Sequence, residues 1–234
     1  MGKRVLVPRQ NPLFAPDFER EIRVQLAEVA QSTRYSTAER TRIIRRLVGQ
    51  ESARQAIDGL APTVDVFGLT CGQFSLIHLI QAVIAKIGPC SVDVSTWTAA
   101  TADVADVLGF VREGQIAGLR MIVDASFHQR KPEVLKEVIA RFGRDAIRVT
   151  KNHAKFVLFR NAEWSIVLKT SMNLNQNPRM EDFDLTCNPE LFAFLKDFVE
   201  QLFALQTADT CIARDALEPW RRFLDAWTKS RSQP

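Results

Sequence analysis

The chain has 234 residues, 46% of them hydrophobic and 25% charged, with a formal net charge of +4. These values suit one globular domain of ordinary size with an appendage, and they exclude a disordered or fibrous chain. No apolar run reaches the roughly eighteen residues of a membrane span, and residues 1–8 hold too short an apolar core for a secretory signal, so a cytoplasmic protein with no membrane partner is expected.

The basic surplus belongs to one end. Residues 1–60 hold eleven Lys and Arg against seven Asp and Glu, the whole of the net charge. Within them Arg34, Arg40, Arg42, Arg45, Arg46 and Arg54 face only Glu39 and Glu51 over some twenty positions, which suits a polyanionic partner. Residues 1–15 carry Pro8 and Pro12 among polar residues and read as extended or disordered. Helices are expected over 17–31, where Phe18, Ile22, Leu26 and Val29 form one stripe, over 36–48 behind the cap-like Ser36-Thr37-Ala38-Glu39, and over 51–60. Three short basic helices suit a DNA-reading element, a dimerisation arm or a clamp, and Arg42, Arg45 and Arg46 are candidate substrate contacts.

Pro62 marks a boundary, after which strands and helices alternate. Strands are expected over 64–69, 91–97, 119–123 and 146–149, with helices over 73–87, 99–113 and 132–142. This repetition predicts an α/β fold with a mostly parallel sheet covered by helices on both faces. Its ligand site would lie at the strand carboxyl ends, rimmed by residues 70–72, 96–98 and 124–126. Further strands follow over 154–159, 164–169 and 181–185. The helix over 189–205 has a wide apolar face that asks for the sheet or another protomer, and a last short helix is expected over 219–227. The organisation is a basic helical extension (1–60), an α/β domain (61–210) and a C-terminal helix and tail (211–234).

Residues 153–181 gather groups that handle a phosphodiester. Along a strand alternate side chains share a face, so His153 pairs with Lys155, and Ser171 with Asn173. An imidazole can attack phosphorus while an ammonium, a hydroxyl and a carboxamide hold the non-bridging oxygens, and a carboxylate such as Glu181 can orient the imidazole. Lys169 shares the parity of Ser171 and is a candidate phosphate contact. His78 reads as a satisfied core or interface residue within its apolar helix, and His128 as a loop histidine. The four cysteines, Cys71, Cys90, Cys187 and Cys211, are widely spaced, which suggests buried thiols rather than a metal site or a disulfide framework.

The order H-x-K, apolar strand, turn, second strand, S-x-N and then Glu resembles the phospholipase D superfamily, most closely its short nucleases that carry one H-x-K per chain and act as dimers. The resemblance covers roughly residues 62–205. It implies two-step cleavage without metal or other cofactor. His153 of one protomer would form a phosphohistidine, the partner's His153 would protonate the leaving oxygen, and Lys155, Ser171, Asn173 and Glu181 would support them. One position departs: the family pattern places Asp five residues after the Lys, and here stands Arg160. Its parity is opposite to that of His153 and Lys155, so that it either faces solvent or the neighbouring chain or adds a positive charge near the scissile group. The expected function is a phosphodiesterase acting on nucleic acid, DNA ahead of RNA, as a homodimer. The alternative is a nucleic-acid-binding protein of the same fold without turnover, with Arg160 as its main support.

Overall fold

The spacing of apolar residues switches between a period of two and a period near 3.6 through most of the chain, and an element forms at each switch. The computed structural model describes residues 39–47, 52–127, 132–175, 179–206 and 208. All belong to Thr37–Ala226, one of two units into which the chain divides. The helices expected over 17–31 and 219–227, residues 1–15, the tail, His128 and Cys211 lie outside the described residues. The elements in order are β1 (Thr41–Arg46), α1 (Ala53–Ala56), β2 (Val64–Thr70), α2 (Leu76–Ile87), β3 (Cys90–Thr96), α3 (Thr101–Arg112) and β4 (Ile116–Asp124). There follow α4 (Pro132–Phe142), a 3-10 turn (Arg144–Ala146), β5 (Ile147–Thr150), β6 (Phe156–Arg160), β7 (Ser165–Thr170), β8 (Glu181–Thr186) and α5 (Pro189–Leu205).

Local chemistry explains several boundaries. Helix α5 opens on Asn188, whose Oδ1 accepts the Leu191 amide at 2.8 Å, with Pro189 in the first turn. Helix α2 ends at Gly88, where φ is 79° and a side chain would be strained. At its start His78 Nδ1 accepts the Ser75 amide at 3.1 Å. His78 is exposed and caps a helix, so of the two readings expected for it, core or interface, the core one does not hold.

Two expectations are corrected. The helix expected over 36–48 is, at Thr41–Arg46, a strand paired in parallel with β2. Ile43 and Ile44 fit either period, and pairing with β2 decides between them. Ile43 packs on the core, Ile44 is 73% exposed, and Arg40 binds Asp65 at 2.7 Å, a partner 25 residues away that a local helix would not reach. The sheet is also not mostly parallel. Its order is β1-β2-β8-β7-β6-β3-β4-β5. β1–β2, β3–β4 and β4–β5 are parallel, whereas β2–β8, β8–β7, β7–β6 and β6–β3 are antiparallel. The β–α repeats make the parallel pairs, but β6 and β7 form a hairpin and β8 inserts between β7 and β2, antiparallel to both.

Alternation along the strands gives the sheet two unlike faces. Val92, Val94, Val157, Phe159, Leu168, Phe183 and Leu185 join the main core with residues of α2, α3 and α4. On the other face Asp93 and Arg120 bind Lys196 and Glu200 of α5. Helix α5 therefore lies on the sheet, one of the two partners its apolar face was expected to need.

Candidate active site

The carboxyl ends of β2, β3, β4, β5 and β7 and the amino ends of β6 and β8 share one edge of the sheet. His153, Lys155, Ser171 and Glu181 all stand at that edge, as do the turns expected to rim the site. A cleft of about 660 Å3 opens there, lined by His153, Lys155, Phe156, Lys169, Ser171 and Asp184 among others.

His153 is exposed and Lys155 half-buried, and both precede β6 rather than lying on it. They still converge. Lys155 Nζ donates to His153 O at 2.7 Å and stands 3.2 and 3.4 Å from the ring nitrogens Nδ1 and Nε2. Burial lowers the pKa of the Lys155 ammonium, against an opposing pull from the charge of Glu181. Thr170 N–H donates to Lys155 O at 3.2 Å, which extends the ladder one step past β6 and keeps Lys155 beside the end of β7.

Ser171 Oγ donates to Glu181 Oε2, and it also accepts the Asp182 amide at 2.9 Å. The carboxylate expected on the imidazole is thus engaged with Ser171, and no hydrogen bond joins Glu181 to His153. Asn173 follows in the loop, its Oδ1 buried without a hydrogen-bond partner. Asn173 and Glu181 are not among the residues lining the cleft. Lys169 is half exposed and 4.0 Å from Asp184, which also receives Arg42 at 2.9 Å. The cleft therefore mixes charges, with Lys155 and Lys169 beside Asp182 and Asp184.

The remaining basic candidates fall elsewhere. Arg45 donates to Asp58 O at 2.7 Å, and the side chain of Arg46 lies outside what is described. Arg160 ends β6 at the opposite edge of the sheet, about 16 Å along the strand from Lys155, and its guanidinium lies 6.0 Å above the ring of Phe192. That placement separates it from His153 and the cleft. The Asp of the resembled pattern would fall at the same far edge.

Two residues beside His153 gave no strong sequence signal. The ring of Trp97, in an expected rim turn, sits 5.6 Å from the imidazole at a tilt of 54°. Asn152 is 7% exposed and ties the stretch to the ends of β3 and β4. Its Nδ2 faces Ser95 Oγ, Thr96 O and Ile122 O at 2.9, 3.2 and 3.3 Å, and its Oδ1 accepts the Ala154 amide at 2.9 Å. An Asn before a histidine is common, and its partners lie up to 57 residues away. Among the described residues no group of three or more His, Cys, Asp or Glu is arranged to hold a metal ion. Cys71 is exposed rather than buried, whereas burial raises the thiols of Cys90 and Cys187 to about 11.

No family model matches the sequence, nor does any curated protein. Among solved structures the chain is similar to polyphosphate kinase from Porphyromonas gingivalis, at 16% identity and a TM-score of 0.44 over 60% of this chain. It is also similar to NucT from Helicobacter pylori, at 15% identity and a TM-score of 0.43, over 60% of this chain and 96% of that one. The chain spans 26% of the kinase. Likeness of that degree does not decide chemistry, which has to come from the chain's own geometry.

Proposed function

We propose that the chain is a metal-independent phosphodiesterase of phospholipase D type that cleaves nucleic acid through His153. The observation that carries this reading is the convergence at the cleft mouth: an exposed imidazole with an ammonium 3.2 Å from its ring, and Ser171 and Lys169 along the same lining. A ring nitrogen of His153 attacks phosphorus, a P–N bond forms and the bond to the leaving oxygen breaks. Lys155 and Lys169 balance the charge that builds on the non-bridging oxygens. The leaving oxygen takes a proton from His153 of a second copy, since one chain holds a single H-x-K. Water then attacks phosphorus, the P–N bond breaks, and the water proton returns to the second imidazole. A two-fold dimer supplies both histidines.

Nucleic acid is the proposed substrate because residues 1–60 carry the whole basic surplus of the chain, which suits a long polyanion. The second reading, a binding protein without turnover, has Arg160 in place of the family Asp as its support, and the same assay separates the two. Cleavage of labelled single- and double-stranded DNA and RNA in excess EDTA tests the reading, with His153→Ala alongside. Cleavage that survives chelation and falls about 10³-fold or more in the variant is the expected result. Equal cleavage by both proteins, or cleavage abolished by EDTA, overturns it.

A further inference from the structure

We propose that Asn152 is the positioning residue of this site: its side chain holds His153 at the apex of a rigid turn and so presents the imidazole to the cleft. The inference rests on the reading of His153 as nucleophile and extends it to how the ring is held.

A histidine nucleophile is commonly oriented by a carboxylate on its second nitrogen. Glu181, the residue expected to do so, is bound to Ser171. The observed constraint on His153 comes instead from its own backbone. Asn152 Oδ1 accepts the Ala154 amide and closes an Asx turn with His153 as its central residue. Asn152 Nδ2 anchors that turn on Thr96 O and Ile122 O, at the ends of β3 and β4. The Asn152 amide donates to Asp124 Oδ2 at 3.0 Å, and Ser95 Oγ donates to Ala154 O at 3.0 Å. With Lys155 on His153 O, the peptide that follows the histidine is held at both its C=O and its N–H. A buried amide with its donors and acceptor all engaged gives rigidity that loop chemistry alone does not supply.

The amide orientation follows from its neighbours. Oδ1 faces an N–H and Nδ2 faces carbonyls. An aspartate at 152 would set a charged oxygen against Thr96 O and Ile122 O, whereas its protonated form could still donate. Burial against carbonyls disfavours the ionised carboxyl, so the variant keeps the turn at all pH values but regains its anchor on Thr96 O and Ile122 O only as pH falls.

Full-length wild type, Asn152→Ala and Asn152→Asp are compared for folding by circular dichroism and for kcat and KM on a labelled oligonucleotide between pH 5 and 8. The expected result is folded variants with kcat lowered on the order of 10²-fold, as for a misplacement of about 1 Å, and KM within about threefold of wild type. The ratio of Asn152→Asp to wild-type activity rises as pH falls. A variant that does not fold is replaced by Asn152→Ser, which keeps an acceptor for the Ala154 amide and loses less activity. Rates within about threefold of wild type, a loss confined to KM, or an aspartate-to-wild-type ratio flat in pH overturns the proposal. Should wild type cleave no diester, the nucleophile reading has failed by itself, and backbone relaxation of His153 judges Asn152. An order parameter falling from about 0.85 to below about 0.6 in Asn152→Ala supports the anchor, and an unchanged one overturns it.

Discussion

Lys155 carries a charge that its surroundings only partly favour. Burial lowers its pKa while Glu181 opposes that shift, and its hydrogen-bond partners are the carbonyl and the ring nitrogens of His153. A bound phosphate would supply the missing counter-charge, as expected of a group that stabilises charge developing in a reaction. Lys155→Met is expected to fold and to lower kcat by about 10²–10³-fold, measured by steady-state cleavage. Arg160 gives the converse expectation. Its contacts are at the far end of β6, so Arg160→Asp should leave cleavage within about twofold of wild type and cost no more than about 1 kcal/mol for the lost contact with Phe192. A large loss of activity in Arg160→Asp would mean that its edge of the sheet takes part in the chemistry.

At the scale of elements, the central strands depend on one close approach and one ion network. Gly68 of β2 pairs with Phe183 of β8, and a Cβ at residue 68 would overlap the Phe183 ring. That ring is fully buried and meets Phe74 edge-on at 6.0 Å, which leaves it little room to move. Gly68→Ala should therefore destabilise by about 1–3 kcal/mol, read from urea unfolding, and an unchanged midpoint would show that the ring has room. Across the other face Asp93 takes two hydrogen bonds from Arg120, at 2.7 and 3.0 Å, and one from Lys196 at 2.7 Å. Helix α5 is thereby fastened to β3 and β4, next to the wall that Leu195 gives the cleft. Asp93→Ala leaves two cations without this buried partner. The expected cost is about 2–3 kcal/mol, less than for a fully buried pair because Glu200 remains.

For the whole molecule, acid stability and assembly are the testable properties. Hydrogen bonds from Arg120, aided by Lys196, hold the Glu200 carboxyl down to about 2 from its ordinary 4.5. A carboxylate with a depressed pKa stabilises the folded state above its unfolded value, and that contribution disappears as pH falls through the folded one. Wild type should thus exceed Glu200→Gln in stability at pH 6, with the gap closing between about pH 4.5 and pH 2. A gap independent of pH would break the assignment. The proposed shared site requires two copies, so sedimentation should give about twice the 26.5 kDa chain mass at concentrations where cleavage is seen. An active monomer would rule out the second imidazole as proton donor. Among the described residues no helix is long and apolar enough to cross a membrane.

Much of this was legible in the chain itself. The short apolar run at residues 64–69 and the stripes of α2 and α5 fix local structure through side chains within four residues of one another, a range the sequence displays directly. The pairing of His153 with Lys155 was visible for the same reason, although a turn and not a strand brings them together. Tertiary structure alone decided what depends on distant partners. It made Thr41–Arg46 a strand by supplying β2, and it put β8 between β7 and β2. It also gave Glu181 to Ser171, sent Arg160 to the far edge, and locked Asn152 onto strand ends 30 to 57 residues away. Backbone pairing and buried hydrogen bonds choose partners by position in space, and no local period in the sequence records that choice.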